Sequence, residues 1–286
     1  MRWLRREPLQ QVALFVFCLL IFVMTAAPSL FTYDSAEFTI GAATLGIVHS
    51  PGYPLYLLIV HVFTWLPVGD IPFRVNLFSA VCLALTAPIL FTLIKRLLND
   101  TLLALNGSLS VVLSFLVWSA GIRAEVYAPQ LLTLAISGWA LVRLAQKPTT
   151  RSALIAGAAY GIALAIHPGS ILFAPGLLIV FLKLPLKGSQ RIAAGMLAVA
   201  LFALPLLYFP LRYLANPALN LAGQYAADGS FQRIDLTTLQ GIFWVLRGQQ
   251  FSSLFFANGL LPSADGLLKF GFQFWRNFIG IGILLG

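Results

Sequence analysis

This sequence has little charge. Only 9% of its 286 residues are Asp, Glu, Lys or Arg, against roughly a quarter in an average soluble protein. A chain so poor in charge cannot cover a water-facing surface, which excludes a soluble enzyme and a disordered tail. Cysteine is nearly absent too. Cys18 and Cys82 both lie inside apolar runs, too few and too deep for a disulfide framework or a zinc site. Acidic residues number nine against eighteen Lys and Arg, leaving a net charge of +9. In a soluble domain that excess would point to a polyanionic partner. Here the basic residues fall between apolar runs, so no nucleic-acid partner is expected. The excess reads as loops held on the cytosolic side of a membrane, with membrane lipid head groups as the other contact. The sequence also lacks a phosphate-cradling Gly loop, a Ser-His-Asp arrangement in readable order and a Cys/His cluster.

Apolar length is abundant. Hydrophobic residues make up 59% of the chain, and the mean hydropathy is +0.90. Runs that approach spanning length fall near residues 12–31, 75–93, 102–120, 127–144, 152–166, 170–181, 192–209 and 268–285. They predict an all-α polytopic membrane protein, a bundle of about eight spans that takes residues 1–286 as a single domain. The first run follows Arg2, Arg5 and Arg6, and Pro28 stands just after the small residues Ala26 and Ala27. That proline disfavours cleavage, so the run reads as an uncleaved span. Gly157 and Gly161 have the small-xxx-small spacing that lets helices pack closely, and Gly280 and Gly286 lie in a Gly-rich end. The last run stops at Gly286 without a basic flank, which reads as a chain cut from a longer protein.

A shorter apolar piece, residues 53–66, decides the topology. Its ~14 residues suit an interfacial or re-entrant helix better than a crossing. If it does not cross, Lys95, Arg96, Arg143, Lys147, Arg151, Lys183, Lys187 and Arg191 are all cytosolic. If it crosses, all eight face outward. The positive-inside bias selects the first arrangement. The N-terminus is then cytosolic, with a first outer loop at about 32–74 and another at about 211–267, where Asp228, Arg233, Asp235 and Arg247 accompany amphipathic pieces that lie on the membrane. Asp34, Glu37, His49, Arg74, Glu125, His167 and Arg212 then share the outer face, so the candidate site is extracytoplasmic.

Each of these residues has a structural reading beside a chemical one. Asp34 and Glu37 fit a capping box, with Asp34 as the cap and Glu37 reaching back. Three residues apart, they also share a helix face, where one carboxylate can act as general base towards a hydroxyl. His49 lies in His-Ser-Pro-Gly-Tyr-Pro, a rigid turn that either launches the next helix or holds the histidine over the acids. Arg123 and Glu125 are either a surface ion pair or groups at the mouth of a bundle with a function. His167 could ligate a metal with Glu37 or Glu125, but nothing in the spacing requires one. Arg212 either snorkels or takes a phosphate bidentately.

The sequence Asp34-Ser35-Ala36-Glu37, followed by Leu45-Gly46-Ile47-Val48-His49-Ser50-Pro51-Gly52-Tyr53-Pro54-Leu55-Tyr56, resembles a bacterial and eukaryotic membrane family of the GT-C glycosyltransferase superfamily. That family includes an animal protein O-mannosyltransferase acting on receptor ectodomains. Its pattern is Asp-Ser-Gly-Glu and then Gly-x-x-His-Pro-Pro-Gly-Tyr-Pro. This chain carries Ala36 for the Gly and Ser50 for the first Pro, changes that remove no titratable group. Glu125-Val126-Tyr127 is similar to the family's Glu-Val-Tyr. Residues 211–217 and Gly248-Gln249-Gln250-Phe251 are similar to its loop after the bundle.

The resemblance implies a GT-C-like bundle in which the first outer loop carries a catalytic acid between two juxtamembrane helices. It also implies a lipid-linked donor, a sugar on a polyprenyl phosphate, and transfer to a hydroxyl of a protein, lipid or glycan acceptor. The sugar suggested by relatives is mannose. As a bacterial member the chain would sit in the plasma (inner) membrane. Asp34 would be the general base of an inverting transfer and Glu37 the second catalytic carboxylate. His49, Tyr53, Arg123, Glu125, His167 and Arg212 would bind substrate, with Arg212 and Arg123 on the departing phosphate. No cofactor is certain, and a divalent metal is a possible but disfavoured addition. Two other classes compete with this reading, a transporter or flippase for a lipid-linked or anionic solute and a non-catalytic scaffold of envelope assembly.

Overall fold

The computed structural model describes residues 7–226, 228–254 and 260–277. In chain order its helices are α1 (Glu7–Thr25), α2 (Asp34–Thr44), α3 (Pro54–Phe63), α4 (Ile71–Leu98), α5 (Thr101–Val112), α6 (Phe115–Gly121), α7 (Tyr127–Gln146), α8 (Thr150–Ile166), α9 (Ala174–Lys183), α10 (Gly188–Ala203), α11 (Tyr208–Leu214), α12 (Leu239–Leu246) and α13 (Leu260–Asn277). A small antiparallel hairpin, β1 (Gly223–Tyr225) and β2 (Phe231–Arg233), lies between α11 and α12.

Helix α4 is the axis of the bundle and packs against α1, α5 and α7. Its ends are written in the sequence. Asp70 caps the first turn by accepting from the Phe73 amide at 2.9 Å, Asn99 closes the last turn in the left-handed conformation, and Lys95 and Arg96 face the negative end of the helix dipole. Its 28 residues span ~42 Å at 1.5 Å each, more than a hydrocarbon core of ~30 Å needs. Helices α1 and α7 and the stretch Gly188–Leu214 are also long and apolar enough to cross a membrane. The protein is an integral membrane protein, mostly helical as expected, with one small hairpin.

Four expected spans take a different form, and one of them, residues 152–166, is the 17-residue α8, ~25 Å long and shorter than the ~30 Å core. Residues 102–120 are broken into α5 and α6, which meet at 65°. At the break, the Ser114 hydroxyl donates to the Val111 carbonyl at 2.8 Å, and Ser114 itself is extended, so the α-helical ladder stops there. Residues 170–181 lie in a 3-10 turn, Pro168–Phe173, and the short α9. Pro168 and Pro175 lack the amide a continuous helix would need. Residues 268–285 are helical as far as Asn277 in α13, and the remainder, with Gly280 and Gly286, lies outside the described residues.

The short piece at 53–66 forms α3, ten residues and ~15 Å long. It buries Tyr56, Leu57 and Val60 against α2, α4 and α8, and at that length it falls short of a span. The expected outer loop at 211–267 is largely structured. Its start turns back to the first loop, where Ile47 donates to the Leu219 carbonyl and Leu221 donates to that of Ile47, both at 2.8 Å.

Charge separates the two ends of the bundle. At one end Lys95 meets Glu7, Arg96 and Arg143 lie against Trp139, and Gln190 bonds Thr150. At the other lie the starts of α2, α3, α4 and α7 and the end of α8, with every acid and histidine of the candidate site. Asp100 belongs to the basic end, where it caps α5 through the Leu102 and Leu103 amides.

Candidate functional site

The site is built on the turn into α2. Asp34 and Glu37 occupy the first turn of that helix, and the capping-box arrangement does not form. The residue preceding the helix is Tyr33, and no side chain caps the helix start. Glu37 turns instead to the second motif. Its Oε1 accepts from the His49 amide at 2.6 Å and lies 2.9 Å from His49 Nδ1. Asp34 is exposed, and the ligand-type atoms of Asp34, Glu37 and His49 all lie within 4.8 Å of one another.

Residues 49–53 form a tight turn that requires its glycine. Gly52 has φ 82°, and a Cβ there would meet the Phe209 ring at 2.5 Å. Tyr53 is also left-handed, at φ 45°. Its ring lies edge-on to His49 at 5.7 Å and to Phe38 at 5.4 Å, and 5.4 Å from His167. The Tyr127 ring also lies 5.6 Å from that of His167. His167 Nδ1 accepts from the Gly169 amide at 2.9 Å, which commits that nitrogen to the turn ending α8. The His167 ring is therefore part of an aromatic wall, and the cluster able to hold a cation is Asp34, Glu37 and His49.

Glu125 and Arg123 come from the turn between α6 and α7. Arg123 Nε donates to Glu125 Oε1 at 3.1 Å, while Glu125 Oε2 is buried with no partner among the described residues. The Arg123 guanidinium lies 5.3 Å from the Phe31 ring. Burial pushes the Glu125 carboxyl above the usual carboxylate range, with Arg123 pulling the other way and the Asp34 charge adding to the rise. Burial alone would lower His49, but its bond to Glu37 and the charges of Glu37, Asp34 and Glu125 more than offset that, so its imidazole is raised. Burial and the same carboxylates raise the Tyr53 phenol. These mutual influences make Asp34, Glu37, His49, Tyr53 and Glu125 one electrostatic unit.

Arg212 lies elsewhere. Its Nε and Nη2 donate to the carbonyls of Leu45 and Thr44 at 2.7 and 3.1 Å, where they satisfy the C-terminal end of α2. That is ten residues, ~15 Å, from Asp34 along the helix axis. Arg74 likewise closes the α3–α4 turn through the carbonyls of Thr64, Val68 and Gly69.

Residue-by-residue reading missed the supports. Asn76, almost fully buried, donates to the carbonyls of Ala27 and Ser29 and accepts from the Ala124 amide at 2.8 Å. Ser79 bonds the Glu125 backbone, and Ser35 donates to the Ala124 carbonyl at 2.8 Å. The signal was two polar residues within the first turns of an apolar span. Gln250 accepts from the Ser50 amide at 3.2 Å and Phe251 lies 6.0 Å from His49, so the 248–251 segment covers the turn.

Comparison with known proteins bears on the fold and the family. The mouse protein O-mannosyl-transferase TMEM260 is 34% identical over 118 residues, covering 41% of this chain and 17% of the mouse protein. Its counterpart in Dictyostelium discoideum is 24% identical over 120 residues, covering 41% of this chain and 15% of that protein. Each match thus spans less than a fifth of its relative. The Saccharomyces cerevisiae protein O-mannosyltransferase Pmt1-Pmt2 complex bound to the sugar donor has the same fold, with a TM-score of 0.56 at 17% identity over 78% of this chain and 35% of that one. This fits the GT-C-like bundle expected from the motif. The family model for the protein O-mannosyl-transferase TMEM260 N-terminal domain matches residues 34–187, more than half of the sequence and the segment that holds Asp34, Glu37, His49, Tyr53, Arg123, Glu125 and His167. The chain belongs to that family.

Proposed function

We propose that this protein is a glycosyltransferase that moves a sugar, mannose by its relatives' names, from a polyprenyl-phosphate donor to an acceptor hydroxyl at the extracytoplasmic face. One observation carries the reading: an exposed carboxylate, Asp34, stands at the end of an apolar bundle beside a Glu37–His49 pair that is already bonded. Glu37 is occupied in holding the turn, which leaves Asp34 to meet a substrate.

In this reading Asp34 takes the proton of the acceptor hydroxyl while its oxygen attacks the anomeric carbon. The bond from that carbon to the donor's phosphate oxygen breaks, and its electron pair leaves with the phosphate. One displacement inverts the anomeric centre. Arg123 receives the departing charge, since only its Nε is tied to Glu125 and its terminal nitrogens keep donors for a phosphate. Support comes from a cavity of about 420 Å³ that begins at Arg123 and Tyr127 and is walled below by Leu116, Val117, Leu131, Leu134 and Phe173. An apolar channel with one guanidinium at its mouth suits a lipid tail carrying a phosphate. Arg212 serves this site by fixing the far end of α2. The cluster of Asp34, Glu37 and His49 has the donor types of a divalent-cation site, and the proposed transfer requires no metal.

The test is transfer of labelled mannose from polyprenyl-phosphate mannose to a Ser/Thr-containing peptide in reconstituted membranes. Asp34→Asn should lower the rate by at least about a hundredfold, the low end for a lost general base, with thermal unfolding unchanged. Transfer that survives the substitution removes Asp34 as the base.

A further inference from the structure

The basic end of the bundle holds a second groove that the proposed reaction does not use. It lies between α1, α4 and α7, with a volume of about 530 Å³, and is lined by Phe15, Leu85, Pro88, Ile89, Ile136 and Trp139 among others. Arg96 stands at its mouth. From Arg96 to Leu85 the groove follows α4 for eleven residues, ~16 Å, the reach of a good part of one acyl chain. A polar step, Gln11 Nε2 donating to Thr92 Oγ1 at 2.8 Å, lies one turn below the mouth.

Among the described residues, the mouth carries two guanidiniums without an acidic partner. The Arg96 and Arg143 guanidiniums lie 5.8 and 5.3 Å from the centre of the same Trp139 ring. Neither makes an ion pair or hydrogen bond among the described residues, and the nearby Glu7 is engaged by Lys95. Two like charges on one indole repel unless an anion joins them. Arginines that merely anchor a helix end would spread into the head-group layer, whereas these converge on a ring that borders the groove. Basic pockets between membrane helices are suited to lipid phosphates, and a guanidinium pair suits a phosphodiester.

We propose that this groove binds an anionic phospholipid, with its phosphate between Arg96 and Arg143 and one acyl chain against Phe15, Leu85 and Ile89. The site is separate from the Asp34 cluster, at the opposite end of the bundle, and does not depend on the reaction assigned there.

Native mass spectrometry of the full chain tests it, after extraction from vesicles of equal phosphatidylglycerol and phosphatidylcholine. Phosphatidylglycerol should remain bound in preference to phosphatidylcholine, and Arg96→Gln with Arg143→Gln should weaken its retention roughly thirtyfold, as loss of two surface-lipid charges implies. Lys147→Gln with Arg151→Gln removes the same net charge outside the groove and should leave retention unchanged. Equal retention of the two lipids overturns the proposal. So does an equal loss in both double variants, which would mean a diffuse charge effect. Displacement of the lipid by millimolar inorganic phosphate would also overturn it, by showing a simple anion site without a role for the acyl chain. Unfolding temperatures of both variants distinguish loss of lipid from loss of fold.

Discussion

Capping and chemistry demand different hydrogen bonds of Asp34 and Glu37, and the bonds observed are not those of a cap. Glu37 spends one oxygen on both the amide and the ring of His49, twelve residues away. That pair makes a pH prediction. Burial lowers His49, but Glu37, Asp34 and Glu125 raise it above its ordinary value of 6.5 in the folded protein. The folded state therefore holds the proton more tightly than the unfolded one. The resulting stabilisation is complete below pH ~6.5 and is lost as pH rises through the folded value. Thermal unfolding in detergent should fall with pH above ~6.5, and Glu37→Gln should flatten that slope. An unchanged slope in Glu37→Gln would assign it to other groups. At this scale the residues that gather at the candidate site were legible because acids and histidines are rare in the chain. Asn76 and Ser79 were not, because a polar residue in an apolar run does not say which backbone it will hold. Arg212 was legible as important, but not as the closing group of α2, since its carbonyl partners are 167 and 168 residues away.

Between elements, the Gly157 and Gly161 spacing is the feature that composition exposed most directly. Helices α8 and α10 approach so closely that a Cβ on Gly157 would stand 2.3 Å from the Ala194 carbonyl oxygen, and one on Gly161 2.5 Å from that of Ala198. Backbone cannot rotate away as a side chain can. Gly157→Ala should therefore push the helices apart and destabilise the protein by about 1–3 kcal/mol. Gly195→Ala, on the same helix pair but with nothing within 4 Å of its Cβ, should be neutral or stabilise by up to ~1 kcal/mol through helix propensity. Chemical denaturation of the two variants in one detergent checks the contrast, and equal effects would mean that close approach is not what the glycine supplies. Long elements were legible from the length of their apolar runs, as in α4 and α7. The break between α5 and α6 was not, because Leu113 and Ser114 are acceptable inside a helix and only the extended Ser114 backbone marks the stop. The 168–183 segment carried its warning in Pro168, Gly169 and Pro175, yet its hydropathy reads as a span.

For the whole molecule, the decisive sequence feature was the placement of eight basic residues relative to one ambiguous apolar piece. The fold honours the consequence that can be seen without a membrane: α3 is short and packed, and the basic residues and the acid–histidine cluster occupy opposite ends. Which end meets the cytosol follows from the positive-inside bias and can be measured. Asp228 is exposed in the hairpin turn, in the segment that leads back to the first loop, while Lys147 is exposed at the basic end after α7. The native thiols, Cys18 and Cys82, are both buried and give a quiet background. A membrane-impermeant maleimide applied to intact cells should label Asp228→Cys and leave Lys147→Cys untouched until the membrane is opened. The reverse pattern would turn the bundle over. It would leave the Asp34 cluster intact and yet remove the extracytoplasmic face from the proposed reaction, because a rigid bundle cannot present both ends to the same side. Orientation and chemistry are thus separable claims: the maleimide decides where the site faces, and Asp34→Asn decides what it does.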